Sequence, residues 1–286
     1  MPKPSSIILI ITTTLALLGF AANSILTRLA LSEPSIDATS FTGVRLVSGA
    51  LMLLAIMVVR HRGFNHQWVL AGSWRSATLL FVYAAAFSFA YIQLETATGA
   101  LILFGTVQLT MIGVSLRQGL RLKGLEQLGI VLALVSFLYL VLPGLATPSV
   151  TGFLLMTISG LAWAGYTLAG RHSTQPLTDT TANFVRAAPL VLVLYLPFAG
   201  DILIGSRGFW LAVASGALAS GVGYALWYAA LPALSRVQAG ILQLLVPLLA
   251  AWGGVVFVAE PLSLRLILAA AGLLGGVALV LVRKQA

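Results

Sequence analysis

Two arginines stand inside apolar stretches of this sequence, where a permanent charge is costly. Arg45 heads a run that is almost wholly apolar from Leu46 to Val59, and Arg186 lies within "NFVRAAPLVLVLYLPF". An arginine at the centre of a membrane helix costs about 2.5–3.5 kcal/mol on insertion scales. It is tolerated where the guanidinium binds backbone carbonyls, polar side chains or the carboxylate of a ligand. The sequence leaves a structural role and a ligand-binding role open for both arginines.

Uncharged polar residues extend this set of candidates. Asn23 and Thr27 are four residues apart, so they share one face of a helix. Gln108 and Gln243 also lie inside apolar runs, where an amide that faced lipid would be costly. We therefore expect these four side chains to face the protein interior and to offer hydrogen bonds to a small-molecule substrate.

Aromatic residues inside the runs can stack against a flat or apolar group. The candidates are Tyr83, Trp163, Tyr166, Tyr224 and Trp227. Interior packing is one alternative role for them. The other is the belt of Trp and Tyr at membrane surfaces, which fits Tyr91 and Tyr228 because both lie near the ends of apolar runs.

Other kinds of chemistry lack the necessary residues. Lysine is absent from the apolar runs, cysteine is absent from the chain, and the three histidines lie between runs. No G-x-x-x-x-G-K-[ST] motif is present. We therefore expect neither an enzyme nor a bound metal ion or cofactor. Because Glu95, Glu126 and Glu260 lie near the ends of runs, facilitated export or exchange fits better than proton antiport through a buried carboxylate.

The elements that must position these residues are membrane helices. The chain of 286 residues is 59% hydrophobic and 8% charged, whereas a soluble domain has about 25% charged residues. The apolar runs predict an all-α membrane protein with ten transmembrane helices in the lipid bilayer. The predicted spans are 7–31, 38–59, 76–93, 98–116, 124–142, 150–170, 181–199, 209–229, 237–257 and 264–282. The first run is too long for a signal peptide, so it is interpreted as a retained helix.

The charged residues predict an orientation. Most of the 16 Lys and Arg residues lie in one set of connections. The opposite connections hold Glu33, Asp37, Glu95, Asp201 and Glu260. The positive-inside rule then places both termini in the cytoplasm, and we place this multi-pass protein in a bacterial inner membrane. Basic loops explain the net charge of +9, so no nucleic-acid partner is expected. Arg28 lies near Glu33 and Asp37, and Arg265 lies near Glu260, which predicts surface ion pairs.

The two halves of the chain repeat one pattern. "ALILFGTVQL" (100–109) and "AGILQLLVPL" (239–248) agree at five positions, and Arg45 and Arg186 have nearly the same separation. A repeat with five spans inserts its second copy upside down, because five is odd. The sequence therefore predicts two inverted five-helix repeats, residues 1–143 and 144–286. This arrangement is typical of secondary transporters that bind substrate between the repeats.

The last two spans carry a family resemblance. "GILQLLVPLLAAWGGVVFVAEPLSLRLILAAAGLLGGVALVLV", with Pro247 and Glu260, resembles the EamA-type exporters of the drug/metabolite transporter superfamily, and among them the aromatic amino-acid exporters. The likeness covers the whole chain, although Gln108 and Leu120 stand where the first half would match Pro247 and Glu260. The resemblance implies export of an amino acid or related metabolite by alternating access.

Several alternatives remain open at this point. Drugs, sugar derivatives or purines are other substrates for the same fold, and a non-transporting receptor or scaffold is the alternative outside it. Pro247 interrupts helical hydrogen bonding, so we take it as a hinge. The sequence is compatible with a monomer and with a homodimer.

Overall fold

The computed structural model describes residues 6–119, 124–141, 148–170, 173–198, 202–234 and 236–283. The predicted repeat boundary and Leu120 lie outside these residues. The helices are α1 (Ser6–Leu31), α2 (Ala38–His61), α3 (Gln67–Leu70), α4 (Trp74–Tyr91), α5 (Thr96–Arg117), α6 (Leu125–Val141), α7 (Val150–Gly170), α8 (Pro176–Leu190), α9 (Leu192–Phe198), α10 (Ser206–Val213), α11 (Gly223–Ala230), α12 (Arg236–Gln243), α13 (Leu245–Val258) and α14 (Leu264–Arg283). A π-helix (Ala214–Val222) joins α10 to α11, and a 3₁₀ turn (Leu231–Ala233) follows α11.

The described helices have the lengths and composition of membrane spans. Seven segments of the described chain are long and apolar enough to cross a membrane: Ile7–Leu31, Ala38–His61, Thr96–Arg117, Val150–Gly170, Pro176–Pro197, Ser206–Ala233 and Gln238–Val258. Two shorter apolar helices are Leu125–Leu140 and Leu264–Val280. The prediction of an all-helical membrane protein is therefore confirmed, while the number of ten spans stays a prediction.

Prolines interrupt two of these segments. Pro189 lies just before the end of α8, and α9 begins after a break at Val191. Pro247 lies in the first turn of α13, and the break from α12 falls at Leu244. A proline lacks the N–H group that would bond the carbonyl four residues earlier. Pro247 therefore leaves the carbonyl of Gln243, the last residue of α12, without its helical donor.

The two ends of the helices differ in charge. The loops 32–37, 92–95, 202–205 and 259–263 form what we call the acidic end. Hydrogen bonds join 32–37 to 202–205, and Glu260 of 259–263 accepts from Thr96, which directly follows 92–95. The opposite end, which we call the basic end, includes the residues that follow α2 and precede α4. Arg60 and Arg75 lie there, at the last turn of α2 and the first turn of α4. The structure thus sorts the charges as the sequence pattern predicts.

The π-helix packs directly on α2. A side chain at Gly216 would collide with the backbone carbonyl of Arg45 and the hydroxyl of Ser48, so only glycine permits this approach. The same segment also contacts α1. Arg45 and Asn23, both candidates from the sequence, are therefore held by a single element of the second half.

Candidate functional site

A small cavity lies among six of the helices. Its volume is about 20 Å³, which is room for about one water molecule. Its lining residues are Phe20, Asn23 and Ser24 of α1, Tyr83 and Phe87 of α4, Leu103 and Phe104 of α5, Trp163 of α7, Tyr224 of α11 and Gln243 of α12. Both halves of the chain contribute to it. A metabolite would need more space than this cavity offers.

Aromatic rings form the largest part of the wall. Trp163 is central: its ring centroid lies 4.8 Å from Tyr83, 5.4 Å from Tyr166 and 5.4 Å from Tyr224. Phe20 lies 5.7 Å from both Tyr224 and Trp227. The structure thus brings together all five aromatic candidates from the sequence, three of them on the cavity itself. Such a wall offers flat faces for a ring or an apolar side chain.

Asn23 is fixed by the π-helix. Its Oδ1 atom accepts hydrogen bonds from the Ser215 hydroxyl at 2.8 Å and the Ser220 hydroxyl at 3.3 Å. In a π-helix the hydrogen bonds run from residue i to residue i+5, so residues that are five apart lie on nearly the same face. The hydroxyls of Ser215 and Ser220 therefore reach the same oxygen of Asn23. With Oδ1 occupied, the amide group keeps its N–H donors for a ligand.

Arg45 lies behind the cavity wall and is 2% exposed. Its Nη2 donates to the Tyr83 hydroxyl at 3.0 Å, and its Cζ lies 4.8 Å from the centre of the Phe87 ring. Its Nη1 is buried without a hydrogen-bond partner, and neither ion pair found in the described chain includes Arg45. Tyr83 and Phe87 both line the cavity, so one layer of rings separates this cation from the site.

The remaining polar candidates take different places. Gln243 reaches the cavity from the end of α12, beside the break that Pro247 produces. Thr27 is buried, and its hydroxyl donates to the backbone carbonyl of Asn23 at 2.6 Å. Gln108 is buried in α5 outside the lining of the cavity. Thr27 and Gln108, both expected to offer hydrogen bonds to a substrate, therefore do not line the cavity.

Arg186 does not reach the cavity. Its Nη2 donates to the carbonyl of Leu70 at 2.9 Å, and its Nη1 donates to that of Ala71. These carbonyls end the short helix α3, and a guanidinium is suited to binding such groups. Its Cζ also lies 5.9 Å from the centre of the Trp74 ring. Arg186 thus fastens the connection between α2 and α4 to α8.

A network with one ion pair closes the acidic end above the cavity. Arg28 Nε donates to Glu260 Oε1 at 2.8 Å, with side chains that are 20% and 10% exposed. Arg28 Nη1 also donates to the Tyr91 carbonyl at 3.0 Å, and Glu260 Oε2 accepts from the Thr96 N–H at 2.7 Å. These contacts join α1, α4, α5 and α13, and we call them the acidic-end lock.

The lock corrects two expectations from the sequence. The partner expected for Arg28 was Glu33 or Asp37 at the surface, whereas Arg28 pairs with Glu260 and both side chains are largely buried. The membrane-surface belt is wrong for Tyr91, which is fully buried and donates to the Thr96 carbonyl at 3.2 Å. Nearby, burial and the charge of Glu260 raise the pKa of the Glu95 carboxyl above its usual value.

Comparisons with known proteins agree with this geometry. The model of the EamA-like transporter family matches residues 150–282. The uncharacterized protein PA1977 of Pseudomonas aeruginosa is 49% identical over 281 residues, which cover 98% of this chain and 96% of that protein. The chain belongs to the EamA-like transporter family. Membership makes it a multi-pass membrane transporter of small molecules, and it indicates a transporter rather than an enzyme.

A solved crystal structure supports the fold of this EamA-like transporter. It matches with a TM-score of 0.63 at 20% sequence identity, covering 93% of this chain and 98% of that chain. At this identity the likeness concerns the fold alone. Within the described residues, no group of three or more His, Asp or Glu side chains is placed to hold a metal ion.

Some lining residues of the EamA-like transporter were missed from the sequence. They are Phe20, Ser24, Phe87, Leu103 and Phe104. A signal existed for three of them. Phe20 and Ser24 lie on the same helical face as Asn23 and Thr27, and Phe87 lies one turn after Tyr83. No such signal marked Leu103 and Phe104, because apolar residues are ordinary in a membrane helix.

A larger groove on the transporter, about 450 Å³, lies between α1 and α12–α13. Nine leucine and isoleucine residues and two threonines line it. It lacks charged and amide groups that would orient a metabolite. The smaller central cavity, where such groups converge, is therefore the candidate site.

Proposed function

We propose that this EamA-like transporter exports a small metabolite across the bacterial inner membrane by alternating access. The class that we propose is amino acids and related metabolites with an aromatic or apolar body. The observation that carries the proposal is the buried Arg45 guanidinium, held without a counter-ion against the aromatic wall of the central cavity. The positive charge of Arg45 acts across this single layer of rings and favours a substrate that carries a carboxylate, while the rings suit the rest of the molecule.

The helix contacts support the predicted inverted repeat. If α1–α6 exchange with α7–α14, the packing of α2 on the π-helix corresponds to that of α8 on α4, and both contacts are present. Likewise α1 packs on α13 as α7 packs on α5, and α6 packs on its own counterpart α14. A cavity at the centre of such an arrangement lies between the repeats, as alternating access requires.

The loops support the same exchange. At the acidic end, Asp37 exchanges hydrogen bonds with Leu203, at 3.0 Å and 2.9 Å. At the basic end, Ser73 N–H donates to Asn183 Oδ1 at 3.0 Å, and Gly72 N–H donates to Asp179 at 3.1 Å. Each end therefore has a fastening between the two halves, which would release in turn during transport.

Transport by purified protein in liposomes tests the proposal. Liposomes are loaded with one unlabelled amino acid at a time and exposed to the labelled compound, and counterflow above that of protein-free liposomes is measured. Drugs, sugar derivatives and purines are screened in parallel. We expect counterflow for amino acids or related carboxylates with aromatic or apolar bodies.

The outcomes separate the alternatives. Counterflow confined to purines, sugar derivatives or drugs would keep the transporter and reject the substrate class. No counterflow for any compound, with folded protein verified by size-exclusion chromatography, would favour the receptor or scaffold alternative.

A further inference from the structure

We infer that the preferred substrate is an organic monoanion: a carboxylate with an aromatic or apolar body and no ammonium group. The inference rests on the proposed function and narrows its substrate class. It concerns the charge that the central cavity accepts. The shape of the wall does not distinguish an aromatic amino acid from the corresponding acid, because the two have similar bodies.

The charge that lies behind the cavity wall, that of Arg45, is positive and has no counter-ion in the described chain. Arg45 is permanently protonated, and its Nη1 is buried without a partner. The lining of the cavity includes no aspartate or glutamate. Among the described acidic residues, Glu260 pairs with Arg28, Glu33 with Arg207, and Asp179 binds the loop before α4. A ligand with one negative charge would neutralise the site. The carboxylate of a zwitterion would also balance Arg45, but its ammonium group would add a new positive charge.

The hydrogen-bonding groups of the cavity also favour an anion. The Tyr83 hydroxyl accepts from Arg45, so its own proton remains to donate. The Oδ1 atom of Asn23 is occupied by two serine hydroxyls, so its N–H groups remain. Both residues line the cavity. Donors of this kind suit the two oxygens of a carboxylate.

An ammonium group would find a poor site in the same cavity. It needs acceptors for three N–H groups. The described side chains of the lining offer the amide oxygen of Gln243 and the hydroxyl oxygens of Ser24 and Tyr224, but no carboxylate that would balance the charge. Burying a charge without partners is strongly unfavourable, and the nearby Arg45 would repel it. Ring faces would offset part of this cost, but they supply no negative charge.

This charge preference has a consequence for the driving force. A monoanion that moves without a coupled ion carries net charge, so a membrane potential that is negative inside drives it outward. Each 60 mV or so shifts its equilibrium distribution about tenfold. Export would then need no intramembrane carboxylate for proton coupling, and no described acidic residue lines the cavity.

Three ligands with one ring test the inference on wild-type protein in liposomes. Phenylpyruvate is a monoanion, phenylalanine a zwitterion and phenethylamine a cation. We expect counterflow of phenylpyruvate to exceed that of phenylalanine at least tenfold, with no counterflow of phenethylamine. A potential set by valinomycin and potassium should change net phenylpyruvate flux, in the direction that moves the anion toward the positive side.

An arginine variant tests whether Arg45 causes the preference for an anion. Arg45→Gln should bring the phenylpyruvate-to-phenylalanine ratio close to one, whereas Arg186→Gln, outside the cavity, should keep the wild-type ratio. If Arg45→Gln does not yield folded protein, Arg45→Lys is used, and it should lower the ratio while keeping the preference for the anion.

Each contrary result has a definite meaning. A preference for phenylalanine, a flux of phenylpyruvate that ignores the potential, or a ratio unchanged by loss of Arg45 overturns the inference and leaves the transporter in place. If none of the three compounds moves while another screened metabolite does, the inference also fails. If nothing in the full screen moves, the proposed function fails with it.

Discussion

Arg45 and Arg186 occupy similar places in the sequence pattern, yet their guanidinium groups meet different surroundings. Rings of α4 enclose Arg45, whereas Arg186 reaches the carbonyls that end α3. The apolar pattern indicates that each arginine is present although placing its charge in an apolar helix costs free energy. Which partner each one meets depends on the path of the connection between α2 and α4, which that pattern does not encode. The sequence therefore predicted Arg45 and Arg186 as one pair, and the structure separates them.

The separation predicts opposite effects of two matched substitutions. Arg45→Gln removes a buried charge that lacks a counter-ion, so thermal stability should be unchanged or higher. Substrate binding should weaken about tenfold to a hundredfold, because the attraction of the cation for a carboxylate across the ring layer is lost. Arg45→Lys should retain partial transport, because it keeps the charge but loses the planar group that contacts Tyr83 and Phe87. Arg186→Gln should instead lower the melting temperature, because it leaves the carbonyls of Leu70 and Ala71 without these donors.

Melting of the detergent-purified variants and the apparent KM for uptake measure the two effects. The assignment of Arg45 to the substrate fails if Arg45→Gln folds and transports normally. It also fails if Arg45→Gln loses stability as Arg186→Gln does, with no separate effect on KM.

At the scale of helices, the effect of a residue on its own helix was predictable from the sequence, whereas contacts between helices were not. Pro247 breaks the segment at Leu244 because a proline cannot complete the helical ladder, and its sequence position alone indicated that. The π-helix gave no such signal. Its winding is associated with the bonds of Ser215 and Ser220 to Asn23 and with the contact of Gly216 on α2. These partners lie far away in the sequence, so no local pattern reports them.

The acidic-end lock makes a prediction at this scale. Glu260→Gln removes the ion pair with Arg28 and weakens the contact of α13 with α1 and α5. Ser24 lies one turn before Arg28 and lines the cavity, so a cysteine there reports opening of this end. Because the chain has no cysteine of its own, Ser24→Cys can be labelled selectively. We expect Glu260→Gln to speed its labelling several-fold by an impermeant thiol reagent added at the acidic end.

The other ion pair of the described chain is the control. Glu33 and Arg207 are 59% and 56% exposed at the same end, and exposed pairs contribute about 0–1 kcal/mol. Glu33→Gln should therefore leave the labelling rate of Ser24→Cys unchanged. Equal rates in both variants, or no change in either, would contradict the role of the lock as a closure.

At the scale of the whole molecule, the distribution of charge was readable from the sequence because it sums over many residues. The structure collects the acidic loops at one end and places basic residues such as Arg60 and Arg75 at the other. The cavity was only partly readable. Polar and aromatic residues stand out in apolar helices, which found Asn23 and Trp163. Leu103 and Phe104 do not stand out, and their place on the wall follows from the packing of α5 alone.

The final prediction concerns orientation in the membrane, which follows from the same charges. The positive-inside rule places the basic end in the cytoplasm. Gln67 is exposed at the start of α3, at the basic end. Ser149 precedes α7 and donates to the side chain of Gln93 at 2.7 Å, at the acidic end. In intact cells, an impermeant thiol reagent should label Ser149→Cys and should leave Gln67→Cys unlabelled until the cells are opened.

Two further measurements make that result decisive. Ser149 caps α7 by accepting from the Gly152 N–H at 3.0 Å, so its loss costs about 1 kcal/mol. Gln93→Cys, exposed at the same end, serves as a second probe without that cost to the cap. Both acidic-end variants should react alike, and all three should react fully after denaturation. Labelling of Gln67→Cys in intact cells, with Ser149→Cys and Gln93→Cys protected, would reverse the orientation. The direction that we propose for transport would then reverse as well. The membrane potential drives an anion from the basic end to the acidic end only if the basic end faces the negative side of the membrane.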